Sequence, residues 1–142
     1  IKNIKKEIEQ LSTTNDSRIS TTKNLNLLIV EDDEVSSELL KTILDGMFKE
    51  IITVDNGKDA IQTCRDMPEL DMVLMDLKMP EMDGYETSRR IRKFNKKLII
   101  IAQTAYALIG DKEKAISVGC NDYITKPIDK TLLLEVINEH LN

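Results

Sequence analysis

The stretch Leu25-Asn-Leu-Leu-Ile-Val30-Glu-Asp-Asp-Glu34 decides the reading of this chain: an almost wholly apolar run stops abruptly at four consecutive acids. A run of that length, rich in Leu, Ile and Val, suits a strand buried on both faces. Working outward, similar runs recur at Ile51–Val54, Met72–Met75 and Leu98–Ala102, with a weaker one at Asp122–Thr125. Amphipathic segments separate them. The first carries Val35, Leu39, Leu40, Ile43, Leu44 and Met47 on one side, and the last carries Leu132, Leu133, Val136, Ile137 and Leu141. Asn56-Gly57 and Asp83-Gly84 read as helix openings, and Gly119 as a helix close. Five strands, each followed by a helix, predict an α/β fold with a doubly wound parallel sheet covered on both faces.

The rest of the chain fits one such domain over residues 25–142, preceded by a short extension. Ile1, Ile4, Ile8 and Leu11 repeat at helical spacing, and Ser12 to Asn24 reads as a polar linker, so residues 1–24 are expected to form a helical segment and linker. The first residue is Ile rather than Met, which suggests a piece of a longer polypeptide. Net charge is −5, and the extension is locally basic, so the main body is more acidic still. An acidic body suits a cation or a protein partner and disfavours nucleic acid. No apolar run reaches membrane-spanning length, so no direct membrane contact is expected. Cys64 and Cys120 have no metal-binding spacing and suit a reducing, cytoplasmic setting. With His140 as the only histidine, a histidine metal cluster or a histidine triad is excluded.

In doubly wound folds, ligands bind beyond the carboxyl ends of the strands. That rule selects Glu31-Asp32-Asp33-Glu34 after the first strand, Asp76 after the third, Thr104 after the fourth and Thr125-Lys126-Pro127 after the fifth. Carboxylates at the ends of adjacent strands repel unless a cation lies between them or one is protonated. A hard divalent cation such as Mg²⁺ satisfies oxygen donors of this kind and keeps waters of its own. Lys126 offers an ammonium and Thr104 a hydroxyl to a phosphoryl oxygen. Nucleophilic carboxylate, metal and cation together are what phosphoryl transfer requires. Taken singly, each signal has an ordinary reading: a solvated helix start, a turn aspartate, a loop Lys-Pro. Their shared placement at one predicted sheet edge is what gives them weight.

The set Leu28-Ile-Val-Glu-Asp-Asp33, Val73-Leu-Met-Asp-Leu-Lys-Met-Pro80, Asp83-Gly84, Thr104-Ala105 and Lys126-Pro127 resembles the response-regulator receiver domain of two-component signalling. The resemblance implies a flavodoxin-like (βα)5 fold with strand order 2-1-3-4-5. It implies that Asp76 is the phosphoacceptor and that Asp32, Glu31, Asp76 and the backbone carbonyl of Lys78 hold Mg²⁺. It further implies that Thr104 and Lys126 hold the phosphoryl group, with Thr104 and Tyr123 as the switch pair. The partners implied are a histidine kinase or histidine phosphotransfer domain as donor and a downstream protein on the face of helix 4, strand 5 and helix 5. Dimerisation on phosphorylation belongs to the same pattern. Asp33, next to the acid pair, leaves a register shifted by one residue open.

Ile101-Ala-Gln-Thr-Ala-Tyr106 and Gly119-Cys-Asn-Asp-Tyr123 resemble receivers at the C-terminus of hybrid sensor histidine kinases, and a stand-alone regulator is the alternative origin. Lys78 and Tyr106 depart from commoner family choices where a hydrolytic water would approach, which leads to an expectation of slow self-dephosphorylation. A flavodoxin-like cofactor protein competes with the receiver reading, but its phosphate loop would fall on Glu31–Glu34, which repels phosphate without a metal. An aspartyl-phosphate phosphohydrolase wants a second acid where Lys78 stands. No GxxxxGK[ST] stretch supports a P-loop nucleotidase.

Overall fold

A computed structural model describes residues 22–105 and 107–141. The expected N-terminal helix, most of the polar linker and Tyr106 lie outside the described residues. The strands are β1 (Asn26–Val30), β2 (Glu50–Val54), β3 (Met72–Asp76), β4 (Ile99–Thr104) and β5 (Asp122–Thr125). They alternate with α1 (Glu34–Leu44), α2 (Gly57–Asp66), α3 (Gly84–Arg92), α4 (Asp111–Ser117) and α5 (Lys130–Leu141). All pairings are parallel and the order is β2-β1-β3-β4-β5. The fold is therefore the doubly wound parallel sheet that the strand–helix alternation predicts, in the flavodoxin-like order that the family resemblance implies.

Strand alternation divides the core in two. Leu28, Val30, Val73, Met75, Ile100 and Ala102 face α2, α3 and α4, where Ala60, Cys64, Ile91 and Ala115 are buried. Leu27, Ile29, Met72, Leu74 and Ile101 face α1 and α5, where Leu40, Leu44, Leu133 and Ile137 are buried. The continuous apolar runs follow from this, because both pleat faces of β1 and β3 are inside. Edge strand β2 is only half-buried and more polar.

The apolar side of α1 is narrower than its sequence suggests. Leu40 and Leu44 are buried, whereas Val35 is 77% and Leu39 55% exposed. A helix on one sheet buries a single stripe, and residues flanking that stripe turn toward solvent. Leu132 on α5 is likewise 47% exposed beside buried Leu133.

Helix openings follow the predicted chemistry. Asp33, Asn56 and Asp83 cap α1, α2 and α3 by accepting the backbone N–H groups of Ser36, Asp59 and Glu86. Gly84 has a stricter role: a Cβ there would overlap the Asp76 carbonyl and the Leu77 backbone. The start of α3 is thereby seated directly on the turn that follows β3.

Candidate functional site

Every residue singled out at the strand ends lies at the carboxyl edge of the sheet. β1 and β3 are neighbours, paired Val30 to Met75, so the residues after them come together. Carboxylate oxygens of Glu31, Asp32 and Asp76 lie within 4.8 Å of one another. Glu31 and Asp76 are buried and Asp32 is exposed, so the cluster opens to solvent through Asp32. Asp33 is turned away: its carboxylate accepts from Ser36 N at 3.0 Å and Ser36 Oγ at 2.6 Å. These hydrogen bonds hold its carboxyl below the usual carboxylate range. Helix capping thus distinguishes Asp33 from the two acids before it.

Lys126 reaches the cluster from the end of β5. Its ammonium lies 2.5 Å from Glu31 Oε2 and 3.8 Å from Asp76 Oδ2. The lysine is therefore anchored on Glu31 and stands beside Asp76, a division of partners the sequence does not disclose. Asp76 Oδ1 accepts from the Lys78 backbone N–H at 3.2 Å. Burial pushes the Asp76 carboxyl up to about 8, and nearby Glu31 and Asp32 push the same way, against the pull of Lys126. An acid held in this condition gains from a cation that neutralises its neighbours.

Thr104 is buried at the end of β4, and its carbonyl accepts from the Lys126 N–H at 2.8 Å, tying the two strand ends together. Tyr123 lies on β5, half-buried against the α2–α4 side of the core. Its hydroxyl is enclosed and finds no hydrogen-bond partner among the described residues. The Lys78 side chain is exposed, and Tyr106 lies outside the described residues.

One residue of this edge drew no notice in the sequence. Gln103 is fully buried, and both amide atoms lack a partner among the described residues. Its signal was a polar residue closing the Ile99-Ile-Ile-Ala102 run, one place before Thr104.

The carboxyl-edge acids, the lysine that joins them and the 2-1-3-4-5 sheet define a class: a doubly wound domain with a cluster of carboxylates and a lysine at its switch point. The chain matches the family described as response regulator receiver domain over residues 27–138, and it belongs to that family. It is a receiver domain of two-component signalling. It is 32% identical over 125 residues to the signal transduction histidine-protein kinase BarA of Escherichia coli (strain K12), covering 87% of this chain and 13% of that protein. The chain thus spans a small part of this curated relative. Among solved structures it is similar to the co-crystal structure of the Saccharomyces cerevisiae histidine phosphotransfer signaling protein Ypd1 and the receiver domain of its downstream response regulator Ssk1. That likeness has TM-score 0.75 and 32% identity, and covers 83% of this chain and 89% of that one. It is also similar to the CheX-CheY-BeF3-Mg+2 complex from Borrelia burgdorferi, with TM-score 0.78 and 26% identity, covering 87% of this chain and 93% of that one.

Proposed function

We propose that this domain accepts a phosphoryl group on Asp76 from a phosphohistidine of a histidine kinase or histidine phosphotransfer domain. The carrying observation is the convergence of Glu31, Asp32 and Asp76 within 4.8 Å at the mouth of the sheet, with Lys126 beside them. The donor set is all carboxylate oxygen, which fits Mg²⁺ better than a softer metal. Glu31, Asp32, Asp76 and the carbonyl of Lys78 would hold it. Bound there, Mg²⁺ supplies positive charge to offset that of the phosphoryl oxygens.

In the transfer, an Asp76 oxygen bonds to phosphorus as the phosphorus–nitrogen bond to the donor imidazole breaks, and the imidazole leaves with its electron pair. Lys126 shifts from Glu31 toward a phosphoryl oxygen, and the Thr104 hydroxyl donates to another. The phosphoryl group adds roughly −1.5 to −2 charge at neutral pH. Movement of Thr104 toward it leaves space that Tyr123 fills. The α4–β5–α5 face then changes its affinity for a downstream protein or a second copy, as a biased two-state equilibrium. By the family resemblance, slow self-dephosphorylation is expected of a chain that carries Lys78 and Tyr106 where commoner family members carry other residues.

The likeness to a stretch of the histidine-protein kinase BarA supports a histidine kinase as the parent, and a hybrid-kinase origin with a cytoplasmic setting is part of the same proposal. No helix among the described residues is long and apolar enough to cross a membrane.

The test is labelling by acetyl phosphate or a phosphohistidine donor, with and without Mg²⁺. Label is expected on Asp76 alone, and it should vanish in Asp76→Asn and on chelation. Retained label at another residue overturns the assignment.

A further inference from the structure

Among the described residues, metal-ligating side chains gather at both ends of the sheet. One group is the carboxyl-edge cluster of Glu31, Asp32 and Asp76. The other joins Asp122, the first residue of β5, to Glu139 and His140 in the last turn of α5. Consecutive side chains on a helix ordinarily diverge. Here a carboxylate oxygen of each acid and a ring nitrogen of His140 all lie within 4.8 Å of one another. His140 Nε2 lies 2.9 Å from Asp122 Oδ2, and the other Asp122 oxygen accepts from the Tyr123 N–H at 2.8 Å. The backbone thereby aims one carboxylate oxygen at the imidazole. Neither acid is paired with a lysine or arginine among the described residues. Asp122 and His140 are half-buried and Glu139 is exposed, so the group opens to solvent on the Glu139 side.

We infer that Asp122, Glu139 and His140 form a binding site for a borderline divalent cation, Zn²⁺ or a metal of its class, separate from the carboxyl edge. The donor set decides the class. One imidazole nitrogen with two carboxylate oxygens suits zinc, copper or nickel, whereas magnesium and calcium prefer oxygen alone. A single histidine rules out a polyhistidine centre but leaves this mixed set open, with three protein ligands and a water completing the tetrahedron. Donors on a tetrahedral zinc stand roughly 3.3 Å apart. Nε2 and Oδ2 therefore need part by only a few tenths of an ångström from their hydrogen-bonded distance. The metal replaces the proton that joins them, and the imidazole ligates in its neutral form. The Tyr123 N–H then serves as the outer partner that fixes the ligating carboxylate. Carbonyls in the last turn of a helix carry partial negative charge, which adds to the attraction for a cation. Bound metal fastens the end of α5 to the start of β5, at the rim opposite the transfer machinery.

The experiment titrates the 142-residue chain with Zn²⁺ in competition with a chromophoric zinc indicator, and follows the ring nitrogens of His140 by NMR. As the only histidine, His140 gives the only imidazole signals. Zn²⁺ should shift the Nε2 resonance, Mg²⁺ should not, and excess Mg²⁺ should not displace the bound Zn²⁺. Loss of even an outer partner weakens a metal site about 10–100-fold, so His140→Ala and Glu139→Gln should each weaken Zn²⁺ binding by roughly tenfold or more. Glu139→Gln keeps the shape of an exposed side chain, so its loss of affinity is read on a folded protein. An Nε2 resonance that Zn²⁺ leaves in place overturns the inference. So does an affinity unchanged in either variant, which would make the ion adventitious. Displacement of Zn²⁺ by Mg²⁺ also overturns it, because the ion would then belong to the carboxyl-edge acids.

Discussion

The two rims of the same sheet are built on opposite terms. At the amino rim, polar groups are paired across elements. Arg92 donates to the Gly119 carbonyl at 2.7 Å, the Asn95 carbonyl at 3.1 Å and Asn121 Oδ1 at 2.7 Å. Asn121 Oδ1 also accepts from the Ile100 N–H at 2.8 Å, fixing where β4 begins. Asp71 accepts from the Asn26 N–H at 2.7 Å, and His140 Nε2 lies 2.9 Å from Asp122 Oδ2. Among the described residues, Asn26 Oδ1 is the exception among the buried side-chain atoms of this rim. At the carboxyl rim, three acids crowd one lysine, and the Gln103 amide is unpaired. One rim gathers hydrogen bonds that stabilise the fold. The other holds groups that, under the proposed function, find their partners in a metal ion and a phosphoryl group, as expected where a scaffold is spent on recognition.

The contrast breaks most sharply at Asp76. Asp76→Asn should drop phosphoryl labelling to background while leaving the melting temperature unchanged or higher, because it relieves repulsion by Glu31 and Asp32. A large loss of stability would show that the carboxyl rim also carries the fold. At the opposite rim, Arg92→Ala leaves two carbonyls and Asn121 short of a donor. It should cost about 2–4 kcal/mol in denaturant unfolding, with labelling by acetyl phosphate at normal rate in the folded fraction.

The pH response of the metal-free protein follows next in size. The Asp76 carboxyl is raised in the fold, from an ordinary value of 3.8 to about 8. The folded chain therefore binds this proton more tightly than the unfolded chain does. The stability so gained is complete below the ordinary value and is lost as pH rises through about 8. Thermal unfolding in chelator should show that decline, Asp76→Asn should flatten it, and saturating Mg²⁺ should oppose it. The smallest effect separates two neighbours within the acid run. Asp33→Ala should cost about 1 kcal/mol of stability through the lost cap and leave Mg²⁺ affinity nearly intact. Asp32→Ala should do the reverse. If Asp33→Ala weakens Mg²⁺ binding more, the acid pair is shifted by one residue.

How much of this was legible follows from the range of the interactions involved. Strand runs, helix caps and the sheet order came through because buried strands and Asx caps are local patterns, and because the family resemblance supplied the order. The meeting of Glu31 and Asp76 was legible through the rule that places sites at the carboxyl edge. The anchoring of Lys126 on Glu31 was not, since it joins residues 95 apart and depends on the conformation of a long side chain. Val35 and Leu39 looked like core because helical periodicity marks a broad side of a helix, whereas packing on a sheet selects one stripe. The Arg92 network was hidden for another reason: its acceptors are mostly backbone carbonyls, which carry no residue type.

Gly84 has a consequence for how sequences like this one can drift. The atoms that would meet a side chain there are backbone atoms of Asp76 and Leu77, which cannot swing aside. Every single-codon change at Gly84 therefore forces the first turn of α3 away from the residue that carries the charge. In a saturation library selected for signalling, this position should read as an empty row, although it touches neither metal nor phosphate. A lineage can exchange an exposed residue such as Val35 or Leu39 by small steps, but no such step leads away from this glycine.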